Sequence, residues 1–252
     1  MAGEVYGGGG RVLLAKVALV VLTTAASASA QTRSPEADTL RVFRNSLRGP
    51  GGDPPRWLNQ WVTNPFPCGG GGDAPQWIGI RRCAGGHVVA IDLEGLGLEG
   101  AAPDLRILAP LQGLRSLSLA GNNLTGAFPD VSPLPALKSF FLARNSLSGE
   151  IPDGAFAALR GLQKLDLSDN AFTGRIPSSM ATSGRLIDVN LSNNNFSGPV
   201  PDGLLRLGAN LHVQGEFARH GLYVELGKGK YAAKSKCLMN LLYLFCYWYI
   251  LP

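Results

Sequence analysis

Carboxylates Asp166, Asp169 and Asp188 lie close enough in sequence to suggest a pair for general acid–base work, and His87, His212 and His220 are the only histidines of the 252-residue chain. Acid–base chemistry needs two such groups within hydrogen-bond reach of one substrate. Asp166 and Asp188 instead recur at facing positions of a repeated segment, where charge is ordinarily solvated. A hydrolase would show a GxSxG elbow, and a kinase would show HRD, DFG and APE strings; none occurs. Gly227-Lys228-Gly229-Lys230 is a chance fragment, with no strand or helix pattern to make it a phosphate loop. Cys68, Cys83 and His87 lack the paired short spacings of a zinc site. The residues thus point to no catalytic group, no metal and no cofactor, and binding remains as the function to explain.

Two of the four cysteines, Cys68 and Cys83, fall in the body of the chain. Arg11 and Lys16 flank and interrupt an apolar run from Val12 to Leu22, which ends in small residues at Ala28-Ser29-Ala30. This is the pattern of a secretory signal over 1–30, cleaved after Ala30 and too short and broken for a membrane span. In an oxidising compartment Cys68 and Cys83 are expected to pair, a crosslink that stabilises by about 3 kcal/mol in the chain-entropy account. The net charge of +5 is carried largely by the segment after Gly215, with Arg219, Lys228, Lys230, Lys234 and Lys236 against Glu216 and Glu225. No clustered basic face appears in the rest, so the sequence gives no nucleic-acid footprint.

What positions the remaining residues is a repeat. The copies read LRSLSLAGNNLTGAFP from Leu114, LKSFFLARNSLSGEIP from Leu137, LQKLDLSDNAFTGRIP from Leu162 and LIDVNLSNNNFSGPVP from Leu186, with a degenerate copy from Val88. Glycines Gly100, Gly126, Gly149, Gly174 and Gly198 step by 26, 23, 25 and 24 residues, and such stacks need at least about three copies to be stable. The pairs Leu117/Leu119, Phe140/Leu142, Leu165/Leu167 and Val189/Leu191 are two residues apart, so on a strand both point to one side and form a stacked core. Asn122, Asn145, Asn170 and Asn194 follow where the chain leaves the strand, and an amide can satisfy several backbone groups there. The glycine admits positive φ, and Pro129, Pro152, Pro177 and Pro201 hold an extended run on the outer side. Each copy is one coil of a solenoid.

These residues resemble plant leucine-rich-repeat receptor proteins, whose repeats carry the same LxGxIP ending. The preceding segment strengthens the likeness. Ser34-Pro35-Glu36 reads as a helix start capped by serine, with Leu40, Phe43 and Leu47 on one face. Trp57, Trp61, Pro67-Cys68 and the Trp77-Ile78-Gly79-Ile80 run before Cys83 look like the amino-terminal cap of those receptors, which covers the hydrophobic end of the first coil. Gly113 to Leu119, the Glu150-Ile151-Pro152-Asp153 step to Ala155-Phe156, and Gln163-Lys164-Leu165 are most similar to the short ectodomains of pollen receptor-like kinases. The resemblance implies an α/β repeat, a plant-type leucine-rich-repeat solenoid with a helical, disulfide-bonded cap. It divides the chain into signal 1–30, cap 31–87, repeats 88–215 with a partial sixth, and an atypical tail 216–252. Leu96 departs from the pattern in the first asparagine slot, and Glu216 in the sixth. In the tail, the apolar run from Leu238 to Pro252 fits an anchor, an end cap or an altered carboxyl end.

By this reading the chain is a secreted or cell-surface recognition module without a kinase, for a peptide or protein ligand and a co-receptor. A cell-wall or inhibitor-type repeat protein, or a truncated non-signalling product, is the alternative. Strand alternation places Ala90, Asp92, Glu94; Ser116, Ser118, Ala120; Ser139, Phe141, Ala143; Lys164, Asp166, Ser168; and Asp188, Asn190, Ser192 on the concave face. Phe141, Lys164, Asp166 and Asp188 form the expected ligand site, an aromatic flanked by charge; packing of Phe141 on the Lys164 stem is the competing explanation. Asn123, Asn190 and Asn195 head acceptor triplets for N-glycosylation.

Overall fold

The computed structural model describes residues 34–69 and 73–213. The expected signal and the tail from Glu216 lie outside these residues. Helix α1 (Pro35–Ser46) opens the cap, with Pro35 in its first turn and Glu36 and Asp38 at its positive end. Ser34 does not cap through its side chain; its carbonyl accepts from Ala37 N–H instead. The expected face of Leu40, Phe43 and Leu47 is buried, together with Ala37. A short helix α2 (Gln60–Thr63) brings in Trp61, which is fully buried, donates Nε1–H to Ile78 O at 2.8 Å and stacks on Trp77 at 5.5 Å between centroids. Arg41 ties the two helices together, donating to Trp61 O and Asn64 O with its guanidinium over the Trp77 ring.

Cys68 and Cys83 are disulfide-bonded, as expected, with 6.0 Å between their Cα atoms. The bond fastens the loop after α2 to strand β1 (Ile80–Ala84), which pairs antiparallel with β2 (His87–Asp92). Gly79 at the entry to β1 has φ +82°, and a Cβ there would stand 2.6 Å from Leu93 Cδ2 and 3.2 Å from Asp92 O, so any other residue would be strained and would push the Leu93 side chain aside.

From β2 onward the coils stack. Each coil gives one strand to a main sheet: β4 (Ser116–Ser118), β6 (Ser139–Phe141), β8 (Lys164–Asp166), β10 (Asp188–Asn190) and β12 (Leu211–His212). With β1 and β2 they make seven strands, all parallel after β2. The register places Ile91, Leu117, Phe140, Leu165, Val189 and Leu211 in one row, every one of them buried. A second, five-stranded parallel sheet was not anticipated. It is made by β3 (Glu99–Ala101), β5 (Asn123–Gly126), β7 (Ser146–Glu150), β9 (Ala171–Arg175) and β11 (Asn195–Ser197), around the positive-φ glycines. The return segments are turns, with 3-10 helices at Leu105–Leu108 and Ser178–Thr182 and one short α3 (Asp202–Leu205). Coils of 23 to 26 residues leave no length for longer helices once two strands and a proline have been placed.

Between the sheets Phe128 contacts Phe140, Phe156 and Phe172 at 5.3 to 6.2 Å between ring centroids. At the turn off each strand the asparagines act as expected. Asn145 Nδ2 donates to Leu119 O, Leu142 O and Ala143 O, while its Oδ1 accepts from Leu124 N–H. Asn122, Asn170 and Asn194 repeat this pattern on their own coils. Each amide reaches back one coil, which explains how the first coil tolerates Leu96. There the Asn122 amide accepts from Leu98 N–H and donates to Leu93 O from the coil behind.

Candidate recognition surface

The main sheet presents its residues in two solvent-side rows. One runs Ala90, Ser116, Ser139, Lys164, Asp188; the other runs Asp92, Ser118, Phe141, Asp166, Asn190, His212. The four residues expected to form the ligand site therefore fall on three neighbouring strands. Phe141 is directly beside Asp166, and Lys164 is directly beside Asp188. Strand spacing of about 4.8 Å makes this a continuous patch. Lys164 is exposed, while Phe141, Asp166 and Asp188 are half-buried. Neither Lys164 nor Asp188 has an ion-pair partner among the described residues.

The list of outward residues needs correction at its third column. Ala120, Ala143 and Ser168 are buried, as is Ser118. The strands are only three residues long, so strict alternation ends before that column and the turn folds it inward.

The second row carries a local pattern that alternation does not show. Asp92 Oδ1 accepts from Glu94 N–H at 3.0 Å, Asp166 Oδ1 from Ser168 N–H at 3.0 Å, and Asn190 Oδ1 from Ser192 N–H at 3.2 Å. Ser118 Oγ occupies the same place toward Ala120 N–H at 3.5 Å. In each case a side-chain oxygen closes on the amide two residues on. Phe141 has no such oxygen, and Ala143 N–H finds no acceptor among the described residues. The half-buried Phe141 ring at the middle of the face thus lies in the coil whose equivalent amide, that of the buried Ala143, has no side-chain acceptor.

Of the triplet asparagines, Asn123 and Asn195 are exposed on the second sheet. Asn190 is half-buried in the row beside Asp166, and its Oδ1 accepts from both Ser192 N–H and Ser192 Oγ–H. Sequence reasoning missed a further column, one residue before each asparagine slot, where Gly95, Gly121, Arg144, Asp169 and Asn193 all take φ between +54° and +66°. Asn193 Nδ2 donates to Asp169 Oδ1 at 2.6 Å, and Arg144 pairs with Glu94. The signal was there in Gly95 and Gly121, which share the slot with Arg144.

Residues 112–172 and 185–207 match leucine-rich-repeat families. Pollen receptor-like kinase 2 of Arabidopsis thaliana is 38% identical over 156 residues, 62% of this chain and 22% of that protein. The solved structure of a Pollen Receptor Kinase 3 superposes with a TM-score of 0.61 at 30% identity, over 81% of this chain and 99% of that one. The chain belongs to the plant leucine-rich-repeat receptor kinase ectodomain family. Another family member, the Arabidopsis receptor kinase HAESA, was solved with the peptide hormone IDA and the co-receptor SERK1. It gives a TM-score of 0.61 at 30% identity, over 73% of this chain and 30% of that one. The chain spans only about a fifth of the length of Pollen receptor-like kinase 2, 22%. No described helix is long and apolar enough to cross a membrane.

Proposed function

We propose that this chain is an extracellular recognition module that performs no chemistry itself and takes a peptide or protein ligand on its concave sheet, with a co-receptor as a second partner. The observation that carries this is the break at Phe141. Every flanking coil closes its own amide with a side-chain oxygen, whereas this coil carries an aromatic ring in place of that oxygen, with Lys164 and Asp166 on the next strand. An aromatic ring flanked by charged side chains is the kind of anchor from which binding hot spots are built. Support comes from HAESA, which shares the fold and was solved with a peptide hormone and a co-receptor.

The test is a screen of secreted peptides against the immobilised, secreted chain, followed by affinity measurements on variants. Phe141→Ala and Lys164→Glu are each expected to weaken the ligand at least about tenfold, which is about 1.4 kcal/mol, with little change in melting temperature. Unchanged affinity in both variants would move the site off this face.

A further inference from the structure

A groove of about 780 Å³ lies where the cap meets the first coils, and its charged walls are Glu36, Arg82, His87, Arg115 and Lys138. Glu36 is the only acid in it, and both its oxygens are used: Oε2 accepts from Val88 N–H at 2.8 Å, and Oε1 lies 3.0 Å from His87 Nδ1. Arg82, Arg115 and Lys138 have no ion-pair partner among the described residues. The guanidinium of Arg115 is held in place by donation from Nη1 to Gln112 O at 3.0 Å. Arg82 and Lys138 are exposed and make no described side-chain hydrogen bond. The groove therefore shows solvent an excess of uncompensated positive charge, which the linear sequence concealed because its contributors come from two coils and the cap.

Backbone hydrogen bonds stack these positions in order. Arg115 N–H donates to Val89 O, Lys138 N–H to Arg115 O, and Gln163 N–H to Lys138 O, at 2.7 to 2.8 Å. Arg115 and Lys138 thus stand about 4.8 Å apart on adjacent coils. The next coil continues the line through Gln163 to Lys164, at the edge of the Phe141 patch. Alternate side chains of an extended peptide lie about 6.8 Å apart, a difference that long Arg and Lys stems absorb. Three cations in a short groove suit a few carboxylates and fall short of the long basic stripe that a polyphosphate requires.

We infer that this groove binds an acidic peptide segment, with carboxylates on Arg82, Arg115 and Lys138, and that the same peptide continues onto the concave sheet. The inference rests on the reading of that sheet as a peptide-binding face. Opposite charge of this kind governs encounter rate and partner choice more than final affinity, and it weakens with salt.

The experiment uses the secreted full chain and a fluorescent hexaglutamate peptide, followed by polarisation at low and physiological salt, with hexalysine and oligogalacturonate as separate arms. Hexaglutamate should bind, hexalysine should not, and Arg82→Glu with Lys138→Glu should weaken binding at least tenfold without lowering the melting temperature. Arg160→Glu, an exposed cation outside the groove, should leave it unchanged. Absence of hexaglutamate binding, an equal loss in Arg160→Glu, or binding of oligogalacturonate alone would overturn the inference. If hexaglutamate fails while a screened peptide still depends on Phe141, the groove falls and the concave site stands. If hexaglutamate binds through Arg82 and Lys138 but no peptide depends on Phe141, the groove stands and the concave site falls.

Discussion

The guanidinium of Arg144 reaches across Gly121 to the carboxylate of Glu94, two coils away. Arg144 takes φ 55°, in a column whose other members are two glycines, an aspartate and an asparagine. A left-handed conformation costs an ordinary residue roughly 1–2 kcal/mol, and an exposed ion pair contributes about 0–1 kcal/mol. Replacing Arg144 with Asn should therefore leave thermal stability unchanged or slightly raised. A clear fall in melting temperature would mean that the span over Gly121 matters more than the backbone.

The ladder amides are expected to be the most sensitive polar positions of the solenoid. Asn145→Ala leaves Leu124 N–H without its acceptor and takes one of two donors from Leu119 O, Leu142 O and Ala143 O, which keep Asn122 Nδ2, Asn170 Nδ2 and Gly121 N–H, and an orphaned buried group costs about 1–3 kcal/mol. A loss of roughly 1–3 kcal/mol in urea unfolding is expected. Asn145→Asp should be nearly as damaging, because a carboxylate cannot donate to the three carbonyls. A near-neutral Asp variant would show that the acceptor for Leu124 N–H matters and that the second donor to each carbonyl does not.

Loss of the Cys68–Cys83 bond should act on the cap first. The loop it closes spans 15 residues, for which the chain-entropy account gives about 3 kcal/mol. Cys68→Ala with Cys83→Ala should speed proteolysis between Asn64 and Arg82 and shift the emission of the stacked Trp61 and Trp77 toward the solvent-exposed value. Limited proteolysis that finds the first cut within the repeats would argue against this.

Glycan mapping of the secreted chain should find Asn123 and Asn195 occupied more fully than Asn190. The first two are exposed, whereas the Asn190 amide is half-buried and engaged with Ser192. Higher occupancy at Asn190 than at Asn123 would contradict it, and would place a sugar in the row beside Asp166.

Amide hydrogen exchange offers a direct check on the break at Phe141. Ala143 N–H should exchange faster than Ser168 N–H and Ser192 N–H, which occupy the same slot with acceptors. Phe141→Asn supplies the missing oxygen and should slow the exchange of Ala143 to match.

Much of this was readable beforehand because each coil repeats the same physical problem. Leu117, Phe140, Leu165 and Val189 hold one phase, and asparagines at one offset solve the same backbone deficit, so core and ladder follow from spacing alone. The second sheet was not readable. Its strands straddle positive-φ glycines such as Gly126 and Gly149, which weaken any strand pattern in a single coil; the pairing exists only between coils. The inward turn of Ala120, Ala143 and Ser168 was missed for a related reason, since small residues carry no burial signal. The groove at Arg82, Arg115 and Lys138 escaped because proximity across coils is invisible to a count of charges.

The asparagine ladder also gives the array a direction. Leu98 N–H relies on Asn122, Leu124 on Asn145, Leu147 on Asn170 and Phe172 on Asn194, always on the coil that follows. Removing a coil from the carboxyl side strips the coil before it of its amide, whereas the amino side is held shut by the cap and its disulfide. Under mechanical load or dilute denaturant, loss of one described coil should therefore loosen the coil before it more than the coil after it. Growth of the array by duplication is constrained in the same sense: an inserted coil is tolerated wherever it brings its own asparagine, and a coil without one is safest at the amino end, which is where Leu96 is found.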